Sequence, residues 1–164
     1  MTPGYFRDHA DQFKLSASSY SLLMSYVKVF GCTITPAGSR FTNGEGHDQD
    51  YLVEVPGGHP ALADGFDSTL LDDGWTPESG QLEYRPEGSA ANDAPFGSWR
   101  KGELNLIVTR DHAFAERHRL GTAVLKQIKL DDKDARKYVM YAILYGEMWC
   151  GPGVLKTFGS RDDL

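Results

Sequence analysis

Residues 37–56, AGSRFTNGEGHDQDYLVEVP, change character halfway along and constrain the rest of the chain. The first half is turn chemistry: Gly38-Ser39, then Asn43-Gly44, then Gly46. The second half alternates. Asp48, Asp50, Leu52 and Glu54 fall on one face, and Gln49, Tyr51, Val53 and Val55 on the other, so this is a strand, closed by Pro56 and Gly57-Gly58. Its acidic face asks for an open site and its apolar face asks for a core, so the strand belongs to a sheet with helices packed behind it.

The flanking sequence supplies those helices. Leu22, Leu23, Tyr26, Val27 and Phe30 recur at helical spacing from Ser18 to Phe30, with Ser18 or Ser19 as cap and Gly31 as the stop. CTITPAG reads as a strand edge running into a turn. A helix over HPALADGFDSTLLDDGW starts near Pro60 and ends before Gly74. The Gly-, Pro-, Ser- and Asn-rich stretch between Trp75 and Gly97 holds a hairpin or long loop, with a strand-like piece at QLEYR. A second strand runs from Trp99 to Thr109 at its widest. HAFAERHRLGTAVLKQI and DDKDARKYVMYAILYGEMW are two final helices, the second capped by Asp131 or Asp132. The helical rows Phe114, Leu120, Val124, Leu125, Ile128 and Tyr138, Tyr141, Ala142, Tyr145 read as core. With no repeat or long linker, 164 residues make an irregular arm (1–17), a single domain (18–150) and a short tail (151–164).

Composition narrows the function classes. Seventeen basic against twenty-three acidic residues leave a formal charge of −6, so there is no basic excess for broad, sequence-independent nucleic-acid binding and no long duplex DNA partner is expected. No apolar run spans a membrane, and the first residues lack a signal pattern, so the expectation is a cytoplasmic protein. Cys32 and Cys150 have no CxxC partner and read as reduced, buried thiols.

The chemistry concentrates in one phrase: Gly38-Ser39, eight residues, then Asp48-x-Asp50 entering a strand. Carboxylates at i and i+2 project from one face about 7 Å apart, which suits coordination of one or two Mg²⁺ or Mn²⁺ ions. Gly38-Ser39 offers unobstructed backbone N–H groups and a hydroxyl to the terminal phosphates of a nucleoside triphosphate. Phosphoryl and nucleotidyl transfer need little beyond oriented phosphates and cations.

On these residues the chain resembles the DNA polymerase beta-type nucleotidyltransferase superfamily. More closely, it resembles small nucleotidyltransferase-like proteins of tailed bacteriophages. The matching segments are GSR at Gly38–Arg40, DQDYLV at Asp48–Val53, LNLIVTRD at Leu104–Asp111 and ILYG at Ile143–Gly146. The resemblance implies a minimal nucleotidyltransferase fold of α/β (α+β) class, a short mixed sheet with helices packed on one face. It implies that Gly38, Ser39 and Arg40 bind triphosphate and that Asp48 and Asp50 bind metal. The superfamily's third acid falls at Asn105, with Glu103 two residues earlier on the expected same face as its stand-in. An unaided Asn105 removes a charge, one metal and the base that activates the attacking hydroxyl.

Plainer readings stand beside these. Asp48 and Asp50 also fit a solvated edge strand, Glu103 a surface acid, Asn105 a hydrogen-bonded core amide and Gly38-Ser39 an ordinary turn. Arg40, His47, Arg100 and Lys101 fit either phosphate contacts or ordinary surface positions. The resulting expectation is Mg²⁺- or Mn²⁺-dependent transfer of a nucleoside monophosphate from a triphosphate to a hydroxyl on a protein, an RNA end or a small molecule. If the chain is phage-encoded, that happens in the host cytoplasm. The alternatives are a catalytically silent scaffold that binds and inhibits a host protein, and a nucleotide sensor without transfer.

Overall fold

The computed structural model describes residues 15–57, 60–78 and 96–145. The arm before Leu15, QLEYR, Trp149, Cys150 and the tail lie outside the described residues. Helix α1 (Ala17–Phe30) is capped by Ser16, whose side chain accepts from the Ser19 N–H at 3.1 Å, and not by Ser18 or Ser19. The cap moves because its backbone must be extended, as Ser16 is at φ −63° and ψ 153°, while the later serines are already helical. Gly31 closes the helix in the left-handed region, as its position predicts.

Strand β1 (Thr33–Ala37) leads into a short helix, α2 (Gly38–Asn43), where the spacing predicts a turn. Asn43-Gly44 is therefore a helix stop: Gly44 is left-handed and its N–H returns to the carbonyls of Ser39 and Arg40. Strand β2 (Gln49–Glu54) follows, then α3 (Pro60–Asp72) and the brief β3 (Thr76–Pro77). The single strand expected over Trp99–Thr109 is two strands, β4 (Phe96–Lys101) and β5 (Leu104–Thr109). Gly102-Glu103 folds one onto the other, because Gly102 takes the φ of +59° that a two-residue hairpin needs at its first central position.

Helices α4 (His112–Ile128) and α5 (Lys133–Tyr145) complete the described chain. Asp111 caps the first, accepting from the Phe114 N–H at 3.1 Å, and Asp132 the second, accepting from the Asp134 N–H at 2.9 Å.

The described strands form one five-stranded mixed sheet in the order β1-β2-β5-β4-β3, with β2 and β5 parallel and the other pairs antiparallel. This is the mixed α/β architecture expected, consistent with a minimal nucleotidyltransferase fold. One sheet face sets Tyr51, Val53, Leu106 and Val108 against Leu23 and Tyr26 of α1 and Phe66 and Leu70 of α3. The other sets Leu52 and Ile107 against Phe114, Ala115 and Leu125 of α4 and Met140 and Leu144 of α5. Helices therefore cover both faces, because Leu52, between Asp50 and Glu54, is fully buried and needs its own cover. On α4 the buried row includes His118 and Thr122, whereas Leu120 and Ile128, expected in the core, are exposed. Burial at 1% exposure pushes the His118 imidazole down to about 4, so it is a neutral core group. Cys32 is buried, and burial pushes its thiol up to about 12. No described helix is long and apolar enough to cross a membrane.

Candidate functional site

A row of register partners crosses the sheet at the end that α4 and α5 leave uncovered: Ala37 on β1, Asp50 on β2, Asn105 on β5 and Arg100 on β4. Partners in register share a face, so the acid, the amide and the guanidinium project together. Asn105 Nδ2 donates to Asp50 Oδ1 at 3.1 Å, and Ser98 Oγ donates to Asn105 Oδ1 at 3.0 Å. Each hydrogen bond fixes the next side chain, so Asp50 is held from behind by an amide that is itself held.

Gly38 faces that carboxylate. Its φ is +76°, and a Cβ built on it would sit 2.0 Å from Asp50 Oδ2. Any side chain here would meet a strained backbone angle and a clash with the Asp50 carboxylate at once. The expected bend and the expected acid therefore meet directly.

Asp48 precedes β2 by one residue and is exposed, its side chain 54% accessible. Its carboxylate receives Arg100 Nη1 at 3.1 Å and Nη2 at 3.5 Å, while Arg100 Nε bonds to Glu78 just beyond β3. Glu78 first and Asp48 after it hold the Arg100 guanidinium still more firmly in its charged form, against the opposing effect of burial.

The connection from α2 to β2 is tied down from two sides. Arg40 Nη1 donates to the His47 carbonyl at 3.1 Å. Buried Arg136 of α5 donates to the carbonyls of Leu130 and Asp131 at 2.7 and 3.0 Å and to Glu45 Oε2 at 3.0 Å. Asn43 Nδ2 reaches the same Leu130 carbonyl at 2.9 Å.

These elements enclose an open cavity of 310 Å³. Gly38, Ser39, Asp48, Asp50 and Asn105 line it, and so do three cations, Arg40, Arg100 and Lys133, the last from the first turn of α5. Glu103 is not among the lining residues. It lies exposed in the hairpin turn, its carbonyl accepting from the Gln49 N–H at 2.8 Å. Sharing a face with Asn105 required an unbroken strand, and the chain reverses at Gly102-Glu103. Lys101 is turned away as well, donating to the Asp73 carbonyl at 2.6 Å. Several lining residues escaped the sequence, among them Ser98, Glu78 and Lys133. Ser98 is two positions from Arg100 on β4 and follows once the hairpin is recognised; Glu78 and Lys133 arrive from other elements with no local signal.

Among the described residues, no three His, Cys, Asp or Glu side chains form a ready cation cage. Mg²⁺ is ordinarily held by one or two carboxylates, with substrate phosphates and water completing its octahedron. Asp48 and Asp50, two hard oxygen donors lining one cavity, fit one such ion brought in with a triphosphate.

No family model matches the chain, and no curated protein does. Among solved structures it is similar to Cid1 in complex with the UTP analog UMPNPP, at 13% identity and a TM-score of 0.40. It is also similar to a structure described as a cytoplasmic RNA terminal U-transferase, at 13% identity and a TM-score of 0.41. Each match covers 85% of this chain and 38% of the other, so the chain spans under two-fifths of those proteins.

Proposed function

We propose that the cavity binds a nucleoside triphosphate with Mg²⁺ or Mn²⁺ and transfers its nucleoside monophosphate to a hydroxyl. The observation that carries this reading is the seating of the Asp50 carboxylate on the backbone of Gly38, which sets a metal-binding acid against the Gly38-Ser39 bend. Asp48 and Asp50 would hold the cation, which supplies neutralisation of phosphate charge when bound. The Ser39 hydroxyl and the adjoining backbone orient the terminal phosphates, and Arg40 and Lys133 add positive charge. The acceptor oxygen bonds to the α-phosphorus, the bond to the β-phosphate bridge breaks, and pyrophosphate leaves with that electron pair. Asn105 takes no proton at neutral pH, so it positions Asp50 and leaves the acceptor's proton to solvent. Slow transfer follows, since a positioned base is worth about 10²–10⁴-fold.

The formal charge of −6 favours a protein side chain or small molecule over a long RNA as acceptor. If the resemblance to phage proteins reflects origin, that acceptor is a host protein.

The test is incubation with each labelled triphosphate, Mg²⁺ or Mn²⁺, and cell lysate. A labelled macromolecule and released pyrophosphate are expected, both lost in Asp48→Asn/Asp50→Asn. Asn105→Asp, which restores the third acid, is expected to raise turnover by about 10²-fold. The placement of Asn105 in the row and of Glu103 in the turn favours a second reading, a catalytically silent scaffold that binds nucleotide or inhibits a host protein. Triphosphate-dependent thermal stabilisation with no pyrophosphate, even in Asn105→Asp, would establish it.

A further inference from the structure

Among the described residues that line the cavity, two carry a hydroxyl, Ser39 and Ser98. They lie on opposite flanks of Asp50. Ser39 follows Gly38 at the end of β1, on one side of β2, and Ser98 is on β4, beyond β5 on the other side. Ser98 Oγ donates to Asn105 Oδ1 at 3.0 Å, and Asn105 Nδ2 donates to Asp50 Oδ1 at 3.1 Å. The hydroxyl therefore stands two hydrogen bonds from Asp50, half-buried and on the cavity wall. We infer that Ser98 is itself an acceptor, and that the chain transfers a nucleoside monophosphate from the bound triphosphate to its own Ser98 Oγ.

The order of the strands supplies the direction of attack. Displacement at phosphorus needs the attacking and leaving oxygens roughly in line, on opposite sides. Terminal phosphates over Gly38-Ser39 send the leaving pyrophosphate toward β1, so the attacking oxygen must come from the β5–β4 side, where Ser98 is. Ser98 Oγ bonds to the α-phosphorus as the bond to the α–β bridging oxygen breaks. Pyrophosphate leaves with that electron pair, the Ser98 proton passes to water, and serine and nucleoside are joined by a phosphodiester. Asn105 Oδ1 accepts the hydroxyl's hydrogen bond and so orients it, but takes no proton. Magnitudes favour an internal acceptor at such a site. Well-oriented intramolecular reactions reach effective molarities of about 10⁵ M or more, which outweighs the roughly 10²–10⁴-fold loss of a positioned base.

This inference rests on the proposed nucleotide site and names an acceptor for it, and the experiment separates the two. The purified whole chain is incubated with each α-labelled triphosphate and Mn²⁺, with and without cell lysate, and the labelled peptide is mapped by mass spectrometry. Without lysate, label should approach one per chain, map to Ser98, and appear at a rate that diluting the protein leaves unchanged. Ser98→Ala should take no label, and mapping on the wild type carries the test should that variant fail to fold. Label on Ser39, Lys133 or any other residue, label that persists in Ser98→Ala, or a rate that rises with protein concentration overturns the inference. So does label on lysate proteins with none on the chain, and each of these leaves the proposed transfer standing. No label on any macromolecule and no released pyrophosphate overturns the proposed transfer itself, and this inference with it.

Discussion

Gly38 and Asp50 hold each other in place at the level of single atoms. An alanine at position 38 would have to adopt a φ of +76° and put its methyl carbon 2.0 Å from a carboxylate oxygen. Gly38→Ala is expected to cost at least about 2 kcal/mol and to abolish triphosphate binding. Gly44→Ala is the control: its φ is +71° but nothing lies within 4 Å, so it should cost about 1 kcal/mol and leave binding intact. Denaturant titration and analogue binding on both variants check the contrast. This pair was legible in the sequence because a strand's alternation fixes where Asp50 points and a glycine-serine bend marks where the chain must turn. Glu103 was misplaced by the same logic, since i and i+2 share a face only while the strand continues. Lys133 and Glu78 were invisible because nothing in their own neighbourhoods records that the start of α5 and the residue after β3 line the same cavity as Asp48 and Asp50.

Two polar ties fasten the elements, one at the end of β2 away from the site and one beside it. At the far end of β2, Glu54 pairs with His112, at 2.6 Å, and with Arg119, fastening the start of α4 to the strand. Burial pushes the Glu54 carboxyl up, but its hydrogen bonds to Arg119 and His112 outweigh that and hold it below its ordinary value of 4.5. The same hydrogen bond to Glu54 lifts His112 above its ordinary 6.5. The imidazolium's support is whole below pH 6.5 and fades as pH rises through the lifted value, and that of Glu54 is whole above pH 4.5 and fades as pH falls through the lowered one. Melting temperature measured from pH 4 to 9 should thus lose a component on the alkaline side; His112→Gln should remove that component and weaken the acid-side one, which Arg119 still supports. The second tie is Arg136, 5% exposed, which holds the connection between α4 and α5 to Glu45 of the α2–β2 loop. Arg136→Met removes the donor that the Leu130 and Asp131 carbonyls and the Glu45 carboxylate share, and is expected to cost about 1–2 kcal/mol. Hydrogen exchange should rise first between Gly44 and Asp48. Helix bounds at this scale were legible from periodicity and from Gly31, Asp111 and Asp132. The hairpin was not, because LNLIV and FGSWRK each alternate well enough to join, and only the backbone angle of Gly102 parts them.

Among the described residues, a mixed sheet carries apolar cover on both faces and leaves a corner uncovered where the acid end of β2 meets the start of α5. Two covered faces follow from the fully buried Leu52 and Tyr51, neighbours on one strand that point opposite ways. The open corner follows from Asp48, Asp50 and Asn105, which cannot be packed under an apolar helix without large desolvation costs. The formal charge of −6 argues against wrapping a long nucleic acid. The decisive measurement is the structure of the chain crystallised with Mn²⁺ and a non-hydrolysable triphosphate, phased at the manganese edge. The expected result is an anomalous peak bonded to Asp48 and Asp50, with phosphates over Gly38-Ser39. A triphosphate lodged elsewhere, or manganese that touches neither aspartate, would contradict the account.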